Sequence, residues 1–496
     1  MGCLPVGVPP EACGEGFAPI AGGCEPIVPE GPCDPGEMAV PGETACRPVA
    51  DCGDTRWGEA PIGPDAQFVD GAYGGGASDG SEAHPWTTVQ QGVDAAMAGA
   101  VVAIAAGVYA ESVSIDSQAV QLWGRCPDMV QLGDDIGLTI TGATGTEVHR
   151  LAVVTTSGTA VSVGNADDVV LDRLWIRGAT TGLQVDDDLG PASATIRDSL
   201  VESTELDGVS VSGAALTLDR VVIHAAPEHL DTYEGVGLSV LESPTSGVPS
   251  TVELRRSLLE QGAQGNVNAE GSVVVVEDSV LRDPQQVSNL WTGSGFFGTT
   301  AAEMTIRRSV LSGHTGFGAV STDSSLRIEH TVITGGHPTI AAVSSGAVAS
   351  LAGNPEDPTT LVVVDSLLDG VIGHGVLALG GTIELDRTWV RGTHAQPDGR
   401  FGDGAVLMGS DDPAYGEIRQ SRIEGSDRAG VAVFGSSLAI GDTQLECNPI
   451  QLDGEPDEGL DFTIEDLGGN ECGCGDQTEV CRVVSAELEP PDPLGT

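Results

Sequence analysis

One short phrase of residues, written again and again, constrains this chain more than any other feature. VELRRSLLEQG (252–262), VVVEDSVLRD (274–283), MTIRRSVLSG (304–313) and LRIEHTVITG (326–335) share one order. Each has alternating apolar residues, a charged pair, a hydroxyl, two or three more apolar residues and often a glycine. Anchored on the hydroxyl, the register extends to twelve copies at Leu151, Leu174, Ser199, Val221, Ser257, Ser279, Ser309, Thr331, Ser366, Thr388, Ser421 and Thr443. Five of the eleven spacings are 22 residues. A unit that short cannot bury its own apolar face, so copies must stack into a solenoid. Period-2 alternation makes the pieces strands, two or three to a coil.

The spacing predicts a parallel β-helix whose like positions sit roughly 4.8 Å apart in successive coils. Buried Ser and Thr then form a ladder that satisfies turn backbone groups. Gly178, Gly313, Gly335, Gly370, Gly392 and Gly425, four places further on, mark a turn with positive φ.

A chain of 496 residues with 70 glycines and 4% aromatic content is long for one ordinary domain but normal for a solenoid. Its 73 acidic residues face 21 basic ones, all arginine, for a formal charge of −52, which argues against a nucleic-acid surface. The same carboxylate density permits Ca²⁺ binding without requiring it. No run of 18 apolar residues offers a transmembrane segment. Ten of the eleven cysteines crowd the two ends, the signature of disulfides made in an oxidising compartment. The expected location is therefore extracellular or on a bacterial cell surface.

Residues 1–64 hold six cysteines and twelve of the 29 prolines with no apolar periodicity, a disulfide-stapled head. Two pairings fit equally well: Cys13 with Cys24 and Cys33 with Cys46, or Cys3 with Cys13, Cys24 with Cys33 and Cys46 with Cys52. Cys3 after Gly2 also resembles the lipid-modified first residue of a bacterial lipoprotein, a potential anchor. Residues 65–110 read as an N-terminal cap. There Thr87 can cap a short helix with Val89, Val93, Ala96 and Met97 on one face, plugging the open end of the column. Coils fill 111–446, with Cys126 among the first of them. Beyond them, 447–496 form a second cap in which Cys447, Cys472, Cys474 and Cys481 make two disulfides, followed by an acidic tail.

At Phe68-Val-Asp-Gly, Pro85-Trp-Thr-Thr-Val-Gln, Val93-Asp-Ala-Ala and Gly107-Val-Tyr109-Ala-Glu111 the sequence resembles the start of pectate-lyase-like, right-handed parallel β-helix proteins of secreted or surface bacterial type. The resemblance spans roughly 67–445. It implies an all-β, right-handed parallel β-helix solenoid with a short N-terminal capping helix and Cys-rich caps at both ends. It leaves activity open, because that fold carries lyases, hydrolases, adhesins and inert spacers.

Coils after Ser199 alternate between minimal and enlarged, with extra residues at 225–235, 283–300, 336–358 and 394–416. Inserts on every second coil should leave from related turns and wall one side of the column. They carry His229, Tyr233, Trp291, Phe296, Phe297, His337, His394, Phe401 and Tyr415, and aromatics beside carboxylates suit sugar rings. His314, His337, His374 and His394 follow the hydroxyl column by five, six, eight and six residues, an expected row of imidazoles.

Gly373-His374-Gly375 resembles a motif of polygalacturonases, but no paired-Asp motif precedes it, and Asp411 and Asp412 come after. A lyase would need a base without lysine, for which Arg400, between Asp398 and Asp403, is the nominee. Asp186, Asp187 and Asp188 form a further acidic cluster, a weak Ca²⁺ candidate. The leading functional expectation is polysaccharide binding along the looped side without turnover. A polysaccharide lyase or glycoside hydrolase, and a structural spacer or adhesin, are the alternatives.

Overall fold

The computed structural model describes residues 6–491 apart from 179, 225–234, 286–292, 338–344, 355–358 and 410–411. The chain folds as an all-β solenoid of about 13 turns, the parallel β-helix that the repeat and the resemblance imply. It divides into two compact units: Val28–Gly262, the early unit, and Met1–Ile27 with Ala263–Thr496, the late unit.

In each unit a coil gives one strand to each of three parallel sheets. A late-unit coil supplies Glu303–Arg307 to the first sheet, Val310–Ser312 to the second and Phe317–Thr322 to the third. An early-unit coil supplies Ser193–Arg197, Leu200–Glu202 and Val209–Ser212 in the same order. Registers stack like on like. Leu171, Ile196, Leu218 and Leu254 form one buried column in the early unit. Val276, Ile306, Ile328, Val363, Leu385 and Ile418 form its counterpart in the late unit.

The hydroxyl column behaves as its spacing predicts. Ser309 Oγ accepts the Ser279 N–H at 3.1 Å and donates to the Arg307 carbonyl at 2.9 Å, and Ser366 Oγ accepts the Thr331 N–H at 3.1 Å. Ser421 Oγ does the same for Thr388, and the series ends with Asn470 Oδ1 accepting from Thr443 at 3.1 Å. Replacing Ser309 by Ala should therefore cost about 1–3 kcal/mol, because the buried Ser279 N–H loses its acceptor. Chemical denaturation of the Ser309→Ala variant checks this, and an unchanged midpoint would refute the ladder's role.

All six predicted turn glycines have φ between +61° and +69°. A second left-handed position, immediately before the hydroxyl, escaped the sequence reading. All twelve of its residues, from Arg150 to Asp442, have φ between +46° and +58° although none is glycine. This is what the recurrent charged pair does: it turns the chain from the first sheet into the second. Side chains at this turn then pair between adjacent coils, as in Arg308 with Asp278 and Arg387 with Asp365.

The N-terminal helix spans Val89–Ala95 and its cap is Thr88, not Thr87; the Thr88 side chain accepts the Gln91 N–H. Glu111 accepts the Val89 and Gln90 N–H groups at 2.7 and 3.1 Å, satisfying two more free donors of the first turn. Gly92 lets the helix lie against Val69 and Val102, since a Cβ there would meet their methyls at 2.7 and 2.8 Å. Met97 is exposed rather than on the packed face, because the helix has ended before it.

The disulfides follow the first pairing considered, Cys13–Cys24 and Cys33–Cys46, with Cys447–Cys474 and Cys472–Cys481 in the C-terminal cap. Cys52 joins Cys126, 74 residues away. Cys3 lies outside the described residues.

In both units the head segment uses the second sheet as its floor. In the late unit the hairpin of Phe17–Ile20 and Gly23–Pro26 packs on Val310–Ser312 and Val332–Thr334. In the early unit Gly36 abuts the Trp175 ring, and Arg220 reaches Glu43. That cover explains why Val310, Val332 and Leu367, and likewise Leu200, Val222 and Leu258, are buried although they directly follow the hydroxyl on the strand's outward side. The coil pattern also continues beyond residue 446: Ile450–Glu455, Thr463–Gly468 and Glu471–Cys474 each pair in parallel with the preceding coil.

Candidate functional site

The expected inserts divide between two kinds of turn, since parts of 336–358 and 394–416 follow the third-sheet strands Gly346–Leu351 and Asp403–Met408 and lead to the first sheet, while the rest precede a third-sheet strand. Residues 225–235, 283–293, 335–345 and 392–402 all join a second-sheet strand to a third-sheet strand. Their sequence boundaries were too wide, for Ser294–Thr299, Gly346–Leu351 and Asp403–Met408 are regular strands. Phe296 is accordingly core, fully buried, and not part of a wall. His229, Tyr233, Trp291 and Asp411 lie outside the described residues.

The histidines do not form a solvated row. His314 and His374 are buried, while His337 and His394 are exposed. For His374 the reason is register, since it is the first residue of a third-sheet strand, paired with Gly346 and Asp403, whereas His394 sits in the turn and approaches Asp427 at 3.5 Å; His314 is buried within its turn. Among the described residues no group of three or more His, Cys, Asp or Glu could hold a metal ion. The Asp186–Asp188 cluster sits where a third-sheet strand gives way to a turn, and its carboxylates are held by neighbouring groups, although Asp187 Oδ1 is buried without a hydrogen-bond partner. Asp187 accepts from Ser246, Asp186 from Gln184 and the Asp188 N–H, and Asp188 from Thr245.

Two other expected binders are placed elsewhere. Tyr415 is exposed at the start of a first-sheet strand, a different sheet from His374, and Asp412 is exposed in the turn before it. Phe401 is buried with its ring 4.8 Å from that of His374, so it is no open platform for a sugar. Arg400 covers the other partner of this stack, its guanidinium 5.3 Å from the Phe401 ring, and pairs with Asp398 at 2.7 Å.

What the structure does assemble lies on the third sheet of the late unit. There Val320, Ala349, Leu377, Val406, Ala432 and Phe434 belong to an apolar cluster, which Leu488 of the C-terminal segment joins. They alternate with core residues such as Ala319, Val348 and Val376, so they occupy the opposite, outer face. In the last coil this pattern breaks. Asp453 and Glu455 stand in register with Ala432 and Phe434, placing carboxyls where the preceding coil has apolar groups.

Arg428 serves the same spot from the preceding turn. Its Nε donates to Asp403 Oδ1 at 2.8 Å and its Nη2 to Oδ2 at 2.5 Å, and the Ala429 N–H adds a bond at 3.1 Å. His374 Nδ1 stands 3.8 Å from Asp403 Oδ2, too far for a hydrogen bond, and neither ring nitrogen of this buried imidazole has a partner. Asp453 Oδ2 is likewise buried without one.

Burial dominates the electrostatics. It pushes the Asp403 carboxyl above the usual range against the pull of Arg428, and it raises Asp453, with the neighbouring charges of Glu455 and Asp403 adding to the shift. It lowers His374 to about 3, with Arg428 contributing, because the Asp403 charge is already engaged by the guanidinium. Of this group only His374 and Phe401 were singled out as site residues from sequence. Asp453 and Glu455 fell where the repeat fades after Thr443. Their signal would have been the run Ile450-Gln-Leu-Asp-Gly-Glu455 read as one more third-sheet strand.

A concavity in the early unit measures about 330 Å³ and is lined by residues that include Arg47, Asp51, Glu59, Arg150 and Arg173. It belongs to the docking of the head: Arg150 pairs with Glu59 and donates to the Asp51 carbonyl.

No family model matches this chain, and no curated protein matches it. Among solved structures it is similar to pectate lyase Pel9A, at 11% identity over 56% of this chain and 76% of that one, with a TM-score of 0.35. It is also similar to the catalytic unit of a thermostable GH87 alpha-1,3-glucanase from Streptomyces thermodiastaticus, at 13% identity over 83% and 70% of the two chains and a TM-score of 0.34. A GH136 lacto-N-biosidase from Eubacterium ramulus matches at 10% identity over 71% and 64%, with a TM-score of 0.31.

Proposed function

We propose that this chain is an extracellular or surface-attached protein that binds polysaccharide on the outer face of its third sheet in the late coils, without turnover. One observation carries the reading: a buried carboxyl held by the partly exposed Arg428, a second buried carboxyl at a position that is apolar in the preceding coil, and an unpartnered imidazole come together on an otherwise apolar sheet. Polar groups of that kind, set among apolar ones, are what orients a sugar, whose hydroxyls both donate and accept and whose C–H faces are apolar. The five disulfides support an oxidising compartment, and attachment through a lipid on Cys3 belongs to the same proposal.

The way the carboxyls are held supports the reading without turnover. Hydrolysis needs one carboxylic acid and one carboxylate free to act on either side of the bond. Here Asp403 is clamped by the Nε and Nη2 of Arg428 and is not free to act. The test is incubation of the purified protein with and without Ca²⁺ on acidic and neutral polysaccharides, reading pull-down, reducing ends and unsaturated products together. Pull-down without product, weakened about tenfold by Asp453→Asn, is the expected result. Product of either kind makes the protein a hydrolase or lyase, and silence in every readout returns it to a spacer or adhesin.

A further inference from the structure

Residues 485–489 do not trail away from the late unit; they lie across the site just described. Ser485 Oγ donates to Glu455 Oε2 at 2.8 Å, the Ala486 N–H to Asp453 Oδ1 at 2.9 Å and the Glu487 N–H to Glu455 Oε1 at 2.7 Å. Arg428 Nη1 donates to the Glu489 carbonyl at 3.0 Å, and Leu488 rests on the apolar cluster. The segment thus offers three donors to carboxylates, one acceptor to a guanidinium and one apolar group to the face between them.

We infer that this segment is an internal stand-in for the ligand, and that the ligand it displaces is a neutral, polyhydroxylated glycan rather than an acidic one. The inference rests on the binding function proposed above. A sugar hydroxyl can replace each of the three donors, another can replace the Glu489 carbonyl, and a pyranose C–H face can replace Leu488. A uronate or sulfate cannot, because it would meet Asp403, Asp453 and Glu455 with only Arg428 in compensation, and Arg428 is already engaged by Asp403. Two independent features mark the spot as built for more than the strap. The buried Asp453 Oδ2 remains unpartnered beside the segment, and both nitrogens of His374, next to Asp403, have no partner either.

The geometry also says where to cut. Val484 forms the bridge to Asp453 that closes the sheet edge, and Cys481 is the last disulfide residue. A chain ending at Val484 therefore keeps both cap disulfides and the edge bridge while losing the strap. Calorimetric titration of the full chain and of the shortened chain with a neutral hexasaccharide and with hexagalacturonate is the experiment. The shortened chain should bind the neutral sugar at least tenfold more tightly than the full chain, show no such gain for the uronate, and lose the gain when a peptide of residues 485–496 is added in excess.

The full-length Leu488→Asp variant, which keeps every donor but disrupts the apolar contact, should move affinity in the same direction and guards against a truncation that fails to fold. Equal affinity of full and shortened chains for the neutral sugar would overturn the strap but leave the binding function standing. A preference for the uronate would overturn the ligand class. No binding of either sugar by either chain would remove both the inference and the function it rests on.

Discussion

Lowering the pH from 7 to 4 is expected to reduce the stability of the late unit by about 3 kcal/mol for each of two buried imidazoles, His314 and His374. Burial depresses His314 to about 4, with the nearby Gly346 backbone opposing the shift and His337 adding to it, and depresses His374 to about 3. Both folded values lie below the value of roughly 6.5 for an unfolded histidine. Between pH 6.5 and 4 the unfolded chain therefore takes up two protons that the folded chain refuses. The stability is present in full above pH 6.5 and is lost as the pH falls.

Asp403 and Asp453 work in the opposite sense. Their folded values are raised, so their ionisation costs stability as the pH rises, and acidification returns part of it. The histidine contribution is isolated by comparison with a variant carrying His314→Gln and His374→Gln, whose melting temperature should fall much less between pH 7 and 4.5 than that of the natural chain. Amide exchange confined to the coils of Phe317–Thr322 and His374–Leu379 would show that the loss is local, as one-dimensional architectures allow. Parallel pH profiles for the two proteins would mean that the imidazoles accept protons in place, and the buried-neutral assignment would be wrong.

The residues that proved legible in the sequence are those governed by periodicity. Ser309, Ser366 and their column could be placed because a buried hydroxyl between two strands recurs at fixed spacing and has one geometric solution. Gly313 and its equivalents could be placed because positive φ favours glycine. The turn at Arg308 and Asp278 could not, because a charged residue with φ near +50° looks in sequence like any solvated pair.

The histidine row shows a second limit. Offsets from the column of five, six, eight and six residues look similar, yet two extra residues carry His374 from the turn into a strand, and within the turn His314 is buried while His337 and His394 are exposed. The aromatic wall failed for a related reason. An insert's length can be counted, but where its strand begins depends on pairing with the coil before it, which puts Phe296 in the core and Phe401 against His374. Asp453 and Glu455 were illegible because the repeat's other marks had already lapsed, and the C-terminal segment carries no periodicity by which to predict its contacts.

Arg428→Ala should destabilise the late unit by about 3–5 kcal/mol at neutral pH, although Arg428 itself is partly exposed. The cost arises at its partner. Asp403 is completely buried, and both of its oxygens depend on the guanidinium, with the Ala429 N–H as its other hydrogen-bond donor among the described residues. Removing the arginine leaves a buried carboxylate to be neutralised by taking up a proton, which pushes its already raised pKa higher. The loss should therefore shrink as the pH is lowered toward 5, where a carboxyl of raised pKa is protonated in the folded variant at little cost. Removing the charge along with its partner, in Asp403→Asn combined with Arg428→Ala, should recover most of the stability, because an amide can be buried far more cheaply than an unpaired carboxylate. Thermal unfolding of the natural chain, both single variants and the double variant at pH 7 and pH 5 closes the cycle. A coupling between the two sites below about 0.5 kcal/mol would show that the pair is an incidental contact. A large coupling at pH 7 that declines at pH 5 would identify Arg428 as the group that keeps a charge on Asp403 at the site proposed for sugar binding.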